Sequence, residues 1–225
     1  MERAHAAEGQ ETWRLAAWTT LVGVMIAGAY AGRFLSEESV EEPLYDYGVA
    51  VTGVIIYVLL LGILLLIGRG LPAREFFALR PPVSWPSALG LALAGYVAIF
   101  VGAGLILIAL DAGDEQGLTP DEWDPDKLGP YLANFVAIAL VAPFVEELMY
   151  RGAGMTLLLR FDAPVAVGVT AVLFGLAHGL VLALPALVLF GLVTAWLRVR
   201  TSSVVPPMLV HAAFNATSLI VSVAA

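Results

Sequence analysis

The chain has 225 residues, of which 60% are hydrophobic and 13% charged, and its formal net charge is −8. Soluble domains carry about a quarter of charged residues, so this composition excludes a soluble globular domain and predicts a polytopic membrane protein. The absence of cysteine excludes a disulfide, a thiolate nucleophile and a zinc–thiolate site. We therefore expect an all-α fold, in the form of a bundle of transmembrane helices.

Apolar segments of about 20 residues, the length that crosses a bilayer, recur along the chain. Residues 1–12 are polar and are predicted to form a frayed N-terminal tail. A single transmembrane domain is predicted over residues 13–225, with its motif-bearing core at about 128–223. We predict seven spans, at residues 13–35, 47–67, 87–110, 128–159, 163–179, 182–199 and 205–223.

The basic residues predict the orientation of the chain. With the N-terminus in the cytoplasm, eight arginines fall on the cytoplasmic side, which is the usual charge bias of membrane proteins. Two acidic clusters then fall on the outer side, where we expect solvated loops. The clusters are Glu37, Glu38, Glu41, Glu42 and Asp46, and Asp111, Asp114, Glu115, Asp121, Glu122, Asp124 and Asp126. Arg33 and Lys127 lie at the outer ends of their spans, against this bias.

Three charged residues lie inside the fourth apolar span. An ionisable side chain at this depth costs at least ~2.5 kcal/mol, so it is a candidate for function. Glu147 and Arg151 are four residues apart on one helix face and are expected to pair, which leaves Glu146 as a candidate general base. A buried ion pair with a spare acid, as in the cation site of a transporter, is the alternative interpretation. Pro143 removes a backbone donor and predicts a kink just before the glutamates.

Polar residues in later spans extend this group. His178 follows Phe174 by four residues, and His211 and Asn215 share one face of the last span. With Glu146 they permit two schemes. Glu146, His178 and His211 could hold a zinc ion with an open position for water, although no HExxH motif is present. Alternatively, Glu146 and His178 could activate water directly, with His211 and Asn215 stabilising an oxyanion. Both schemes hydrolyse an acyl bond.

Taken together, these motifs resemble the CPBP family, which comprises CAAX prenyl endopeptidases and bacteriocin-processing proteins and was formerly grouped as Abi. The family pattern is Glu-Glu-x-x-x-Arg, then Phe-x-x-x-His, then His-x-x-x-Asn or Asp. In this chain the pattern reads Glu146-Glu147 with Arg151, Phe174 with His178, and His211 with Asn215. All three motifs are intact and in order over roughly residues 130–220, and the resemblance implies a helical intramembrane endopeptidase.

The resemblance also implies residue roles. Glu146 would activate water with His178, while His211 and Asn215 would form the oxyanion site. The implied supporting residues are Glu147, Arg151 and Phe174. We expect no cofactor, because asparagine is a poor zinc ligand, and zinc bound by Glu146, His178 and His211 stays the alternative.

The expected partners are a peptide or membrane-protein substrate and the lipid bilayer, without nucleic acid. The small size and the lack of an organelle-type signal favour a bacterial protein of the plasma or inner membrane. Whether the substrate is prenylated is left open.

Two other functions would use the same residues differently: a proton-coupled transporter and a non-catalytic membrane scaffold. Inverted repeats with discontinuous helices would favour the transporter, and the sequence has none.

Overall fold

The computed structural model describes residues 2–35, 41–113, 115–120 and 122–224, with side chains from residue 12 onward. Within these ranges the chain forms helices, turns and loops without a strand, which confirms the all-α prediction. The helices are α1 (Glu2–Leu35), α2 (Tyr47–Ile67), α3 (Ala73–Phe76), α4 (Trp85–Leu110), α5 (Leu128–Val136), α6 (Ala142–Glu147), α7 (Met155–Leu158), α8 (Ala163–Leu176), α9 (Leu184–Thr201) and α10 (Val205–Ser222). Two π-helical segments, Ala137–Val141 and Leu148–Gly154, join α5 to α6 and α6 to α7. Helices α5, α6 and α7 and the two π-helical segments lie in one apolar span, Pro125–Leu158, which we call the interrupted helix.

Six apolar helical segments of the described chain are long enough to cross a bilayer, which confirms a polytopic helical membrane protein. Each coincides with a predicted span to within about three residues at either end. The remaining predicted span corresponds to α8, which has only 14 residues. At about 1.5 Å per residue, α8 covers about 21 Å, less than the ~30 Å of the hydrocarbon core. Seven spans and a cytoplasmic N-terminus therefore stay predictions.

The chain leaves α8 earlier than predicted because it turns at Gly179. This residue has a φ of +68°, the left-handed conformation that glycine adopts readily after a helix C-terminus. A Cβ atom here would lie 3.0 Å from the backbone of Ala29, so the turn packs directly against α1. His178 consequently lies in the turn that follows α8, and not within the predicted helix over 163–179.

At the other end of the chain, α1 begins at Glu2, within the segment predicted to be a frayed tail. The alanine, glutamate and arginine residues of this segment are strong helix formers. A helix that already exists can be extended without a new nucleation step. The polar segment therefore continues the first apolar helix.

The centre of the bundle is α9, which packs against α8 on one side and α4 on another. The α8–α9 contact is close because Gly191 faces Ala171, whose Cα atom would lie only 2.7 Å from a Cβ at Gly191. The last helix, α10, packs against α4, α9 and the interrupted helix. This arrangement brings the two helical regions that carry histidines next to the span that carries the glutamates.

The irregularity predicted at Pro143 takes the form of the π-helical segment before it. Proline has no N–H group, so the carbonyl of Ile138, five residues earlier, receives no π-helical hydrogen bond. That carbonyl instead accepts a hydrogen bond from Nδ2 of Asn215 in α10, at 2.9 Å. The interruption thus creates an attachment point for the helix that carries the last motif.

The second π-helical segment is also bound by side chains of other helices. Nε1 of Trp18 in α1 donates to the carbonyl of Met149 at 2.9 Å, and Nε of Arg198 in α9 donates to the carbonyl of Arg151 at 3.1 Å. Irregular backbone at membrane depth is tolerated where protein surrounds it. The short helix α6, with its two glutamates, is therefore held at both ends by neighbouring helices.

The two acidic segments lie on the same side of the bundle, as predicted. Nζ of Lys127 lies 2.6 Å from Glu42 and 3.7 Å from Asp124, and Nη2 of Arg33 lies 2.6 Å from Glu115. Lys127 and Arg33 are the two basic residues that oppose the predicted charge bias, and both are paired with acids of these two segments. Four members of the acidic clusters, Glu37, Glu38, Asp114 and Asp121, lie outside the described residues.

Glu115 differs from the predicted solvated acids, because its side chain is only 5% exposed. It belongs to the loop between α4 and α5 (residues 111–124), which we call the α4–α5 loop, and its carboxylate accepts hydrogen bonds from the N–H groups of Val181 at 2.9 Å and Ala183 at 2.6 Å. Burial alone raises the pKa of this carboxyl. The N–H groups of Ala183, Val181 and Leu182, together with Arg33, outweigh burial and lower the pKa. Glu115 thus connects the α4–α5 loop to the start of α9.

Replacing Glu115 with glutamine should lower the melting temperature of the purified protein at pH 7, by an amount equivalent to about 1 kcal/mol. A carboxyl whose pKa is lowered by folding stabilises the fold above its ordinary pKa of 4.5. This contribution is lost as the pH falls through the lower folded-state value. The difference between wild type and Glu115→Gln, measured by thermal unfolding in detergent, should therefore shrink below pH 4.5.

The exposed Glu122 of the same loop provides a matched control, and Glu122→Gln should leave the melting temperature unchanged. A Glu115→Gln deficit of the same size at pH 7 and well below pH 4.5 would contradict the contribution of the carboxylate charge.

Candidate active site

Glu146 lies in α6 and is nearly buried, with 9% of its surface exposed. Its Oε1 atom accepts a hydrogen bond from the hydroxyl of Tyr57 in α2. Its Oε2 atom lies 3.8 Å from Nε2 of His211 in α10. The carboxylate is thus placed between side chains of two other helices, and its two oxygens have different neighbours.

Glu147 and Arg151 form the buried ion pair that their spacing predicts. Oε1 of Glu147 accepts a hydrogen bond from Nη1 of Arg151 at 3.1 Å, and both side chains are fully buried. The same oxygen lies 2.9 Å from Nδ1 of His211. An ionised carboxylate only accepts hydrogen bonds, so Nδ1 of His211 is the donor. Glu147 therefore orients the imidazole of His211, a contact that the sequence did not predict.

The guanidinium of Arg151 is also bound by α8 and α9. Its Nη2 atom donates to the carbonyl of Gly191 at 3.2 Å and to the hydroxyl of Thr194. Its central carbon lies 4.5 Å from the ring centre of Phe174, which is a cation–π contact. The buried positive charge is thus balanced by one carboxylate, two neutral acceptors and an aromatic face. This arrangement connects the interrupted helix to both neighbouring helices.

Phe174 lies at the centre of an aromatic cluster. Its ring centre is 4.7 Å from that of His178, 5.4 Å from that of Tyr150 and 5.6 Å from that of His211. Nδ1 of His178 lies 2.8 Å from the carbonyl oxygen of Phe174. Because a carbonyl only accepts, Nδ1 carries the hydrogen and Nε2 is the acceptor nitrogen of the neutral ring. The four-residue spacing therefore lets Phe174 fix both the position and the tautomer of His178.

Asn215 lies one turn after His211 in α10, and both residues line the same cavity. Nδ2 of Asn215 uses one hydrogen in the bond to the carbonyl of Ile138. An amide nitrogen carries two hydrogens, so Asn215 has one more to offer to a group in the cavity. His211 has its Nδ1 engaged by Glu147, which leaves Nε2 as the ring nitrogen available to a group in the cavity.

A cavity of about 430 Å³ brings the candidate residues together. Glu146, His178, His211 and Asn215 all line it, although they come from α6, the turn after α8, and α10. Gln116 of the α4–α5 loop lines it as well, so the cavity extends from Glu146 towards this loop. The convergence of the motifs on one cavity agrees with the sequence analysis, and the catalytic roles stay predictions.

Sequence reasoning missed Tyr57 and Thr194, which contact charged residues of the site. Tyr57 lies in α2, far from the three motifs, within a run of valine, leucine and isoleucine. Its position inside such a run was the available signal, because a buried tyrosine hydroxyl requires a hydrogen-bond partner. Thr194 lies in α9, which carries no motif.

A zinc site would use Glu146, His178 and His211. Among the side chains that the structure describes, no group of three or more histidine, aspartate or glutamate residues is arranged to hold a metal ion. Nδ1 of His211 is engaged by Glu147 and Nδ1 of His178 by a backbone carbonyl, which by itself leaves Nε2 of each ring able to bind a metal. The three side chains as arranged do not fit this ligand set, and a metal-free site stays a prediction.

The fold and the cavity define a polytopic helical membrane protein with a carboxylate, two histidines and an asparagine around one cavity. Residues 128–217 match the family model of type II CAAX prenyl endopeptidase Rce1-like proteins. The match covers all three motifs, so the predicted resemblance is confirmed over this segment, and it supports a CAAX-type intramembrane protease in general. The helices α1–α4 precede the matched segment. No curated protein and no solved structure matches the chain significantly.

Proposed function

We propose that the protein is an intramembrane endopeptidase that hydrolyses a peptide bond of a peptide or membrane-protein substrate. One observation carries this proposal: Glu146, His178, His211 and Asn215 come from three separate motifs and line one cavity. A cavity within a bundle excludes bulk water, and hydrogen bonds to developing charge are stronger in such surroundings. The proposed setting is the plasma or inner membrane, with the lipid bilayer around the bundle.

In the proposed reaction, a water molecule lies between Glu146 and Nε2 of His178. Glu146 takes one proton from it as the water oxygen attacks the carbonyl carbon of the substrate. The carbonyl oxygen becomes an oxyanion, which accepts hydrogen bonds from His211 and Asn215. The proton on Glu146 then passes to the leaving nitrogen as the carbon–nitrogen bond breaks. The products are a carboxylic acid and an amine.

His211 serves as an oxyanion donor only if Nε2 carries a hydrogen. Nδ1 already donates to Glu147, so the ring must be doubly protonated for this role. Carboxylate oxygens lie 2.9 Å from Nδ1 and 3.8 Å from Nε2 of His211, so both ring nitrogens have a carboxylate neighbour. Glu147, Arg151 and Phe174 have supporting roles in this scheme, because they orient His211 and His178 without facing the scissile bond.

The proposal can be tested on membranes that contain either the wild-type protein or the Glu146→Gln variant. Peptide termini in the two membranes are compared by N-terminal proteomics, with and without a metal chelator. We expect termini that occur only with the wild type and that persist in the chelator. Identical termini in both membranes would contradict the endopeptidase, and termini lost with the chelator would contradict the metal-free scheme. Proton movement in proteoliposomes without cleavage would support the transporter instead.

A further inference from the structure

Tyr57 provides a contact to Glu146 from outside the matched family segment. It lies in the middle of α2, where its neighbours in sequence are valine, leucine and isoleucine. Its side chain is half-buried and lines the same cavity as Glu146 and His211. Its hydroxyl donates a hydrogen bond to Oε1 of Glu146.

This hydrogen bond makes the two oxygens of the carboxylate unequal. Oε1 is engaged by the phenol, whereas Oε2 lies 3.8 Å from Nε2 of His211. A carboxylate that is held through one oxygen cannot rotate freely about its terminal bond. Oε2, on the His211 side, is then the oxygen that the phenol does not occupy and that can face a water molecule. The other titratable and charged groups around this carboxylate are Tyr150 and the Glu147–Arg151 pair.

We propose that Tyr57 is a positioning residue, which holds the carboxylate of Glu146 so that Oε2 accepts the proton of the attacking water. This inference rests on the proposed function for its catalytic consequence. The contact itself is a property of the fold and can be measured separately. Because α2 precedes the matched segment, the first helices of this chain would contribute to the reaction as well as to the membrane anchor.

The ring of Tyr57 also lines a second groove, so a test of the hydroxyl must leave the ring in place. A mostly apolar groove of about 340 Å³ runs between α2 and the interrupted helix. It is lined by Tyr57, Val58, Leu61, Leu140, Phe144 and Val145. The ring therefore forms a wall between this groove and the cavity. Phenylalanine keeps that wall and removes only the hydroxyl, so Tyr57→Phe isolates the hydrogen bond.

The test compares wild type, Tyr57→Phe and Tyr96→Phe. Tyr96 is the matched control, because its hydroxyl also bonds across helices, to Oγ1 of Thr217 at 2.8 Å, away from the cavity lining. Peptide cleavage gives kcat and KM. Infrared difference spectra identify the Glu146 carboxyl band as the one that disappears in Glu146→Gln.

We expect Tyr57→Phe to lower kcat by up to about 100-fold, as small misplacements of reacting groups do, with KM unchanged. The Glu146 infrared band should move to another frequency. Tyr96→Phe should leave both unchanged. A Tyr57→Phe variant with the kcat and the band of the wild type overturns the inference and leaves the endopeptidase intact. A lower kcat with an unmoved band also overturns it, because the hydroxyl would then act elsewhere.

A wild-type protein that cleaves nothing would instead refute the proposed function. The infrared band would still show in that case whether Tyr57 bonds to the carboxylate of Glu146. A shift in Tyr57→Phe would support the positioning of Glu146, and an unchanged band would overturn it.

Discussion

Glu146→Gln should lower kcat for peptide hydrolysis by about 10²–10⁴-fold, which is the usual contribution of a general base. Glutamine has nearly the same shape as glutamate, and its amide oxygen can still accept the hydrogen bond from Tyr57. We therefore expect an unchanged melting temperature with the loss of activity. Both quantities can be measured on the purified protein with a substrate found by terminal proteomics.

His178→Ala should cause a loss of similar size, since its Nε2 is proposed to hold the same water molecule. Groups that act as a unit give non-additive effects. The double variant should therefore be no slower than the slower of the two single variants. Losses that multiply would show that Glu146 and His178 act on separate events, and the shared water would then be wrong. Glu75→Gln, at an exposed position in α3, should keep the wild-type kcat.

The features of the site that could be predicted depend on spacing along one helix. Glu147 and Arg151 pair because a separation of four residues places them on one face. His211 and Asn215 line the same cavity for the same reason. The interruption before the glutamates could be predicted from Pro143, because the chemistry of proline is local.

The features that could not be predicted depend on contacts between distant helices. His211 contacts Glu147 across 64 residues, and Tyr57 contacts Glu146 across 89. Hydrophobic periodicity indicates which face of a helix is buried, and it does not indicate which helix lies opposite. The engagement of Asn215 by Ile138 is of the same kind, because it depends on a carbonyl that only the folded π-helical segment exposes.

Substitutions in the buried Glu147–Arg151 ion pair should have the second large effect, which is on stability. Arg151→Met should lower the free energy of unfolding by about 3–5 kcal/mol, because the buried charge of Glu147 then keeps only His211 as a partner. Glu147→Gln should be comparably destabilising, because the guanidinium then lacks its counter-charge. Unfolding in mixed micelles, or the melting temperature in detergent, measures both variants.

The double variant Glu147→Gln/Arg151→Met removes both charges and should recover much of the stability lost in either single variant. Its glutamine can still accept the hydrogen bond from Nδ1 of His211, so the imidazole should keep its orientation. If the double variant is instead as unstable as the sum of the single variants, the charge interaction does not account for the loss. The bonds from Arg151 to Gly191 and Thr194 would then be what stabilises this part of the bundle.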